Sequence, residues 1–309
     1  MDDLNELVEL ADDFYRHCRA KGLKHSTIGQ YRDSINLLIE WLEENAYPTR
    51  AVDINHKYLT RYFANLADRP SKRRPGQRIS TAYVSLQYRN LQQFWKWLVE
   101  VEQEVDTNPF DRLQRPKVTA GPVPVFTEDE LRRLVQACNG TDFSARRDMA
   151  IMRILIDTGV RVSELVGIKL DDIDFETGSV RVTGKGDRIR VVPLGQKTVE
   201  AIRRYLRARK HHPWARKPEV FLGTQGPLTT WGVRMILRHR SAIAKVDGVH
   251  PHRFRHTFAH RWRLHGGSTD DLMMIAGWSS STMPLVYGRS AAAERARQAH
   301  RRAGLGDTI

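Results

Sequence analysis

Four prolines stand close together in the middle of the chain, at positions 109, 116, 122 and 124. Each lacks an amide donor and disfavours helical geometry in the residue before it, so no helix continues through this segment. The chain has 309 residues, enough for two domains of ordinary size. We therefore predict an extended linker over 108–126, between a domain at 1–107 and a domain at 127–309. A long surface loop is the alternative.

The positive charge is concentrated on one side of this segment. The whole chain has 50 Lys and Arg against 36 Asp and Glu, a net charge of +14. Residues 1–118 are nearly neutral, apart from a basic stretch at 50–96, and residues 119–309 carry almost all the excess. This balance indicates a polyanionic partner, either nucleic acid or an anionic membrane surface. A basic surface without function is the alternative.

Several classes of protein are excluded by simpler features. No run of about 18 apolar residues is present, so we expect no membrane span. The acidic start, MDDLNELVEL, does not resemble a secretory signal. Cys18 and Cys138 are the only cysteines, and no Cys/His group has the spacing of a zinc site. We predict a cytoplasmic, nucleoid-associated protein without cofactor or metal.

Hydrophobic periodicity predicts a mainly α fold with one small antiparallel β-sheet. Before the prolines, apolar residues at helical spacing indicate a four-helix bundle, with a first helix near residues 4–14 and others at about 26–44, 55–66 and 80–97. After them, Thr127–Glu130 has the pattern of a capping box, which starts a helix. Alternation then replaces helical spacing on both sides of Lys185 and predicts a hairpin there. Other helices are expected at about 147–158, from about 163, and at about 196–210, 230–244, 253–265, 270–276 and 291–302.

Four short segments of the C-terminal part carry residues suited to phosphate chemistry. They read TGVRVSEL (158–165), TGKGDRIRVVPL (183–194), HPHRFRHTFAH (250–260) and AGWSSSTMPLVYGR (276–289). Each is weak evidence alone, because a single arginine, turn lysine, histidine or tyrosine has an ordinary structural explanation. Together, and in this order, they are specific.

In this order the segments resemble the tyrosine recombinase (phage integrase) family. The family pattern is met by Arg161, Lys185, His252, Arg255, Trp278 and Tyr287. Trp278 occupies a position that is His in many members, and Phe254 replaces the usual Leu. The resemblance covers residues 127–300 by motif, and residues 1–118 only as a helical core-binding domain. It implies a two-domain, C-shaped clamp on double-stranded DNA.

The chemistry of these residue types fits cleavage of a DNA phosphodiester. Two arginines, Arg161 and Arg255, can hold the charged phosphate through their planar donors. Tyr287 is the predicted nucleophile, and His252 is the base that takes its proton or the group that positions that proton. The resemblance assigns Lys185 as the general acid for the leaving 5′-hydroxyl. The products are a 3′-phosphotyrosine and a free 5′-hydroxyl, formed without ATP or metal.

Two residues have supporting assignments. The indole of Trp278 is a donor only, so it can bond an oxygen or pack behind the nucleophile but cannot carry a proton. Glu164 is expected to orient Arg161 or His252 through a buried ion pair, with a plain surface glutamate as the alternative. His256 and His260 are interpreted as structural.

Basic residues in both parts are candidates for contact with DNA. Phosphate contacts set register and salt sensitivity. The candidates are Lys72, Arg73, Arg74 and Arg78 in the N-terminal part, and Arg234, Arg238 and Arg240 in the C-terminal part. A solvated run of charge explains either group equally well.

The resemblance also implies assembly. In this family the segment after the tyrosine docks on a neighbouring subunit, which closes a tetramer on paired sites. A helix packed on its own domain is the alternative. Little room remains before the bundle for an arm-binding domain, so we expect short inverted-repeat core sites. A mobile-element enzyme is weakly favoured over a resolvase or a Xer-type enzyme, and any accessory protein is unknown.

Two other functions compete with recombination. A type IB topoisomerase shares the Arg, Lys, Arg and Tyr chemistry but relaxes DNA without strand exchange. A DNA-binding regulator with a relic active site belongs to another class. Usable residues at all six catalytic positions argue against the regulator.

Overall fold

The chain forms two compact units, Met1–Ala120 and Gly121–Ile309. The computed structural model describes residues 6–71, 75–118, 121, 123–278, 280, 292, 294, 296–297 and 299–304, except the side chain of Lys185. The boundary between the units falls inside the proline-rich segment. The fold is mostly helical with small antiparallel sheets, which confirms the predicted fold class.

The described part of the N-terminal unit contains four α-helices. They are α1 (Leu7–Ala20), α2 (His25–Glu44), α3 (His56–Asp68) and α4 (Thr81–Trp97), the last continued by a π-helical turn, Leu98–Glu102. Side chains cap two of them: Asn55 accepts from the amide of Lys57, and Ser80 from that of Tyr83. The apolar stripes seen in the sequence face inward and form one core.

Aromatic rings dominate this core. The ring of Phe14 lies 5.3 Å from that of Phe94 and 5.2 Å from that of Trp97, between centroids. Phe110 packs edge-on against Tyr88 at 4.9 Å. Because Phe110 belongs to this core and Phe126 to the core of the other unit, the segment predicted as linker contains core residues near both ends.

The C-terminal unit combines seven helices with five short strands over the described part of residues 121–280. Before and within the main sheet lie α5 (Glu128–Gln136), α6 (Phe143–Thr158), α7 (Val162–Gly167), β1 (Ile173–Asp174), β2 (Ser179–Thr183) and β3 (Ile189–Pro193). Then follow α8 (Gln196–Arg209), β4 (Leu222–Gly223), β5 (Gly226–Pro227), α9 (Thr230–Ala244), α10 (Pro251–Leu264) and α11 (Thr269–Ala276). The predicted capping box opens α5, with Thr127 and Glu130 bonded reciprocally.

The predicted hairpin is present as β2 and β3. They pair antiparallel, with Val180 opposite Val192 and Val182 opposite Arg190, and β1 extends the sheet on the far side of β2. The three valines are buried against the core of the unit. A short 3₁₀ turn, Lys185–Asp187, forms the tip. Position 185 therefore projects from a strand pair that is anchored at its base.

A search of the helices for a membrane span gives a negative result. Within the described residues, no helix is both long and apolar enough to cross a bilayer.

Candidate active site

Arg161 and Glu164 stand together where α6 passes into α7. Gly159 ends α6 with φ at +58°, a value that glycine adopts without strain, and the chain turns so that α7 begins after Arg161. Glu164, in the first turn of α7, accepts from the backbone amide of Arg161 at 2.8 Å. It also accepts from the Arg161 guanidinium at 2.8 Å. The glutamate side chain is 1% exposed and that of Arg161 34%, so the arginine alone faces outward.

A second arginine holds the same carboxylate. Arg190, on β3, donates from Nη1 to Oε1 of Glu164 at 3.0 Å and from Nη2 to Oε2 at 2.8 Å. Burial opposes ionisation of Glu164, but hydrogen bonds from Arg190 and Arg161 outweigh it and lower the pKa of the carboxyl. Glu164 is therefore ionised at neutral pH. Of the two environments expected for Glu164, the structure shows the buried ion pair.

Helix α10 carries His252 and Arg255. It begins at Pro251, earlier than the expected residue 253, because His250 caps it and proline suits the first helical position. The three-residue spacing therefore places His252 and Arg255 on one helix face. Arg255 is only 5% exposed and donates from Nη1 to the Gly159 carbonyl at 2.9 Å.

Trp278 lies directly beneath the guanidinium of Arg255. The guanidinium carbon is 4.8 Å from the centroid of the indole ring, which is a cation–π contact. The backbone amide of Trp278 donates to Met273 at 3.0 Å, so the turn after α11 fixes its place. Trp is the best cation–π partner. The indole therefore stabilises the Arg255 guanidinium more strongly than the imidazole found at this position in many family members.

Three arginines converge on the end of α11. Arg190 Nε donates to the Ile275 carbonyl at 2.7 Å, Arg255 Nη2 to the Ala276 carbonyl, and Arg161 Nη2 to the Gly277 carbonyl at 3.3 Å. The last carbonyls of a helix have no partner within the helix and carry partial negative charge. Three consecutive carbonyls therefore form one docking row for guanidinium groups from β3, α10 and the start of α7.

His252 completes the cluster as its titratable member. Partial burial lowers its pKa below the ordinary 6.5, and the positive charges of Arg255, Arg161 and Arg234 lower it further. The imidazole is thus neutral at pH 7 and able to accept a proton. His256 lies one turn on, with ring centroids 6.3 Å apart, and burial together with its charged neighbours lowers its pKa to about 4.

Two predicted catalytic groups lie outside the described part of the chain. These are the side chain of Lys185 and all of Tyr287. The structure brings together the other four, Arg161, His252, Arg255 and Trp278, and adds Arg190, which sequence reasoning missed. The signal for Arg190 was its place on a hairpin strand within the same segment as Lys185, but nothing local identified Glu164 as its partner.

The candidate DNA contacts have different surroundings in the structure. Lys72, Arg73 and Arg74 lie outside the described residues, and Arg78 is exposed and paired with Asp68 at 2.6 Å. Arg234 and Arg238 are exposed on α9. They share one helix face with two exposed apolar side chains, Trp231 and Met235.

Arg240 requires a correction. Its guanidinium donates to Asp148 on α6 at 2.8 Å and to the Ala137 carbonyl at 2.8 Å, and the aspartate is also paired with Arg147. Because both arginines and the carboxylate are nearly buried, Arg240 ties α9 to α6 and does not belong with the surface candidates.

The C-terminal segment includes a described residue, Glu294, that contacts α10 of its own unit. Positions 292, 294, 296–297 and 299–303 are helical, within or beside the predicted helix at 291–302. Glu294 Oε2 lies 3.0 Å from Nε2 of His260, which is buried on α10. His260 thus has a structural contact, and it lies within one chain.

Comparison with known proteins identifies the family. The model of the Phage integrase family matches residues 124–294. A protein named tyrosine recombinase XerC, from Oceanobacillus iheyensis, is 30% identical over 292 residues, which cover 92% of each chain. The chain belongs to the phage integrase family and is a tyrosine-type site-specific recombinase.

Solved structures agree with this assignment. The crystal structure of XerA recombinase is 26% identical and covers 95% of this chain and 98% of that one, with a TM-score of 0.52. A structure of the XerH site-specific recombinase bound to a palindromic difH substrate, a post-cleavage complex, has a TM-score of 0.74. It covers 96% of this chain and 85% of that one at 16% identity, a likeness of fold.

Proposed function

We propose that this recombinase cuts and rejoins double-stranded DNA through a 3′-phosphotyrosine at Tyr287, without ATP or metal. The observation that carries the proposal is the convergence of Arg161 and Arg255 at the end of α11, where both arginines act electrostatically on the neutral His252. Trp278 continues directly from this helix end, and Tyr287 follows nine residues later. The polypeptide that carries the nucleophile therefore starts from the point where the arginines dock.

The arginines supply stabilisation of the transition state. Attack on phosphorus gathers negative charge on its nonbridging oxygens, and donors fixed in advance stabilise that charge most effectively. The Arg161 side chain is partly exposed. The Arg255 guanidinium stacks on the indole of Trp278 and donates hydrogen bonds to the carbonyls of Gly159 and Ala276. Such anchoring fixes a charge before DNA arrives.

Two proton transfers complete the reaction. The Tyr287 hydroxyl, with an ordinary pKa near 10, loses its proton to His252 as its oxygen bonds to phosphorus. The bond from phosphorus to the 5′-oxygen breaks, and Lys185 at the hairpin tip protonates that oxygen. The phosphotyrosine ester retains the energy of the broken phosphodiester bond. A 5′-hydroxyl from another strand can therefore attack the ester and reverse the steps, which joins the two strands.

One face of α9 is proposed as a contact surface for DNA. Trp231, Arg234, Met235 and Arg238 follow the spacing of a single helix face and are all exposed. The charge of Arg234 also lowers the pKa of His252, which supports a position for this face near the proposed catalytic cluster. Guanidinium groups suit phosphates and guanine edges, and apolar groups suit thymine methyls.

The assembly is proposed to be a tetramer on two paired core sites. The XerH structure contains a palindromic substrate, and a palindromic site has the two-fold symmetry that two copies of one protein require. We therefore propose short inverted-repeat sites, each gripped by two copies, with both units of each copy on the duplex.

An adduct-trapping experiment tests the function. Wild type and Tyr287→Phe are mixed with fragmented genomic DNA in EDTA, quenched with denaturant, and the protein-linked DNA is sequenced. We expect adducts with wild type only, clustered at one inverted-repeat sequence. The genomic position of that sequence, in the chromosome or at the ends of a mobile element, identifies the biological role.

Other outcomes would contradict the proposal in distinct ways. Adducts at sites without common sequence, with relaxed supercoils and no exchanged strands, would favour a topoisomerase. DNA binding without adducts would favour a regulator.

A further inference from the structure

The buried carboxylate of Glu164 faces two cations. One is Arg161, which the proposed function places on the phosphate, and the other is Arg190. A buried glutamate paired with Arg161 alone would cancel much of the charge that the phosphate needs, since interactions strengthen in a low-dielectric site. With Arg190 present, the three groups together keep a net charge of +1.

Arg190 also joins three parts of the fold. It lies on β3 opposite Val182, so its backbone belongs to the hairpin that carries Lys185. Its guanidinium meets Glu164 on α7 through two bonds, and its Nε meets the Ile275 carbonyl at the end of α11. A planar fork makes all three bonds at once, which a lysine ammonium cannot do in the same geometry.

Gly277 gives independent evidence that this place is built around Arg190. Its φ is +64°, and a Cβ added there would lie 2.9 Å from Arg190 Nη1. A side chain at position 277 would therefore strain the backbone and press on the guanidinium. The absence of a side chain at Gly277, in the turn that leads into Trp278, leaves space for the Arg190 guanidinium.

We propose that Arg190 is a positioning residue for strand cleavage. It balances the charge of Glu164 so that Arg161 keeps a net positive charge toward the phosphate, and it fixes the base of the Lys185 hairpin against α11. This role rests on the proposed function, because it requires Arg161 to contact the scissile phosphate.

Variants of Arg190 test this role in single-turnover cleavage of a core-site duplex. We expect Arg190→Met to slow cleavage about 100-fold, the loss typical of a disturbed charge-stabilising donor, while the Kd for DNA changes less than about threefold. Arg190→Lys keeps a cation without the fork and should show an intermediate loss. The matched control is Arg181→Met on the same hairpin, whose partner Asp172 is outside the cluster.

A methylphosphonate at the scissile position separates positioning from general structure. It removes one nonbridging negative charge, so less positive potential is needed there. If Arg190 acts through the charge of Arg161, the ratio of wild-type to Arg190→Met rates should fall at least several-fold on this substrate. Arg161→Ala should show the same trend.

Three results would overturn the role of Arg190. The first is cleavage by Arg190→Met at the wild-type rate. The second is an equal reduction of the Arg190→Met cleavage rate on the phosphate and methylphosphonate substrates, which indicates a structural effect alone. If Arg190→Met does not fold, Arg190→Lys gives the same comparison. The third is the absence of Tyr287-dependent cleavage in wild type, which would overturn the proposed function as well and so differs from the first two.

Discussion

The two units use their interiors in opposite ways. The N-terminal unit buries aromatic rings around Phe14, Phe94 and Trp97, and within the described residues the buried indole nitrogens of Trp41, Trp95 and Trp97 have no hydrogen-bond partner. The C-terminal unit buries carboxylates instead, each shared by two arginines: Asp148 by Arg147 and Arg240, and Glu164 by Arg161 and Arg190.

This difference changes the meaning of the net charge. Residues 119–309 carry nearly all the positive excess of the chain, which by itself indicates a surface for a polyanion. Yet Arg190, Arg240 and Arg255 are turned inward and bond to protein groups. Basic residues in this unit therefore include arginines bonded in the interior and arginines exposed on the surface, and composition alone does not separate them.

The largest effect is expected from breaking the purely structural triad. Asp148→Ala leaves two arginines nearly buried without their carboxylate, which typically costs about 3–5 kcal/mol. Hydrogen exchange resolved by peptide should show the loss in the C-terminal unit and not in the N-terminal one. The control is Glu200→Ala, whose partner Arg204 is 3.8 Å away and exposed, and which should cost less than about 1 kcal/mol. Equal effects would contradict this account of the interior.

Arg161→Ala tests the arginines proposed to be catalytic against those that are structural. We expect cleavage to slow about 10²–10³-fold, or about 3–4 kcal/mol, because one preorganised donor to the phosphate is lost. Arg255→Ala should act in the same direction. DNA binding, measured by titration, should remain near wild type in both. Lost binding, with unchanged cleavage of the DNA that does bind, would contradict the clamp.

The next effect concerns the pH dependence of cleavage. Because partial burial and nearby arginines hold the pKa of His252 below 6.5, the basic form predominates at pH 7. The rate should level off toward neutral pH and fall by up to about tenfold per pH unit below the pKa of His252. Arg234→Ala removes one of the positive charges and should move the midpoint upward.

Arg238→Ala is the control for that shift. Arg238 is one turn further along α9 and should leave the midpoint in place. A midpoint above pH 6.5 in wild type, or equal shifts in both variants, would contradict the assignment of His252.

The smallest effect distinguishes surface from interior on a single helix. Arg238→Ala should lower the slope of log binding constant against log salt by about 1, as expected for one lost phosphate contact. Arg240→Ala should leave that slope unchanged and reduce stability instead, since its guanidinium is bonded to Asp148. A reduced salt slope for Arg240→Ala would contradict the structural role of Arg240 and indicate that it contacts DNA phosphate.

Much of the fold could be predicted from local patterns. Apolar spacing predicted α2, α3 and α4 within a residue or two, and strand alternation predicted the hairpin. The start of α6 at Phe143, and not near Arg147, was missed although Asp142 is an N-cap whose side chain accepts from Ala145. That signal was available in the sequence.

The arginine network could not be predicted in the same way. Motif order identified Arg161, His252, Arg255 and Trp278, but the partners of an arginine are set by contacts between distant segments. Arg190 and Glu164 are 26 residues apart, and Arg240 and Asp148 are 92 apart. No periodicity links such pairs, so an inward arginine and a surface arginine look alike in sequence.

The most direct measurement is the identity of the residue joined to DNA. Wild-type adducts formed in EDTA on the trapped core site are digested with nuclease and protease, and the peptide that retains a nucleotide is sequenced by mass spectrometry. We predict a phosphodiester that joins Tyr287 to the 3′-oxygen of the nucleotide upstream of the cleaved bond, formed also by Arg238→Ala and absent from Tyr287→Phe. A nucleotide on any other residue, or a 5′-linked adduct, would contradict it.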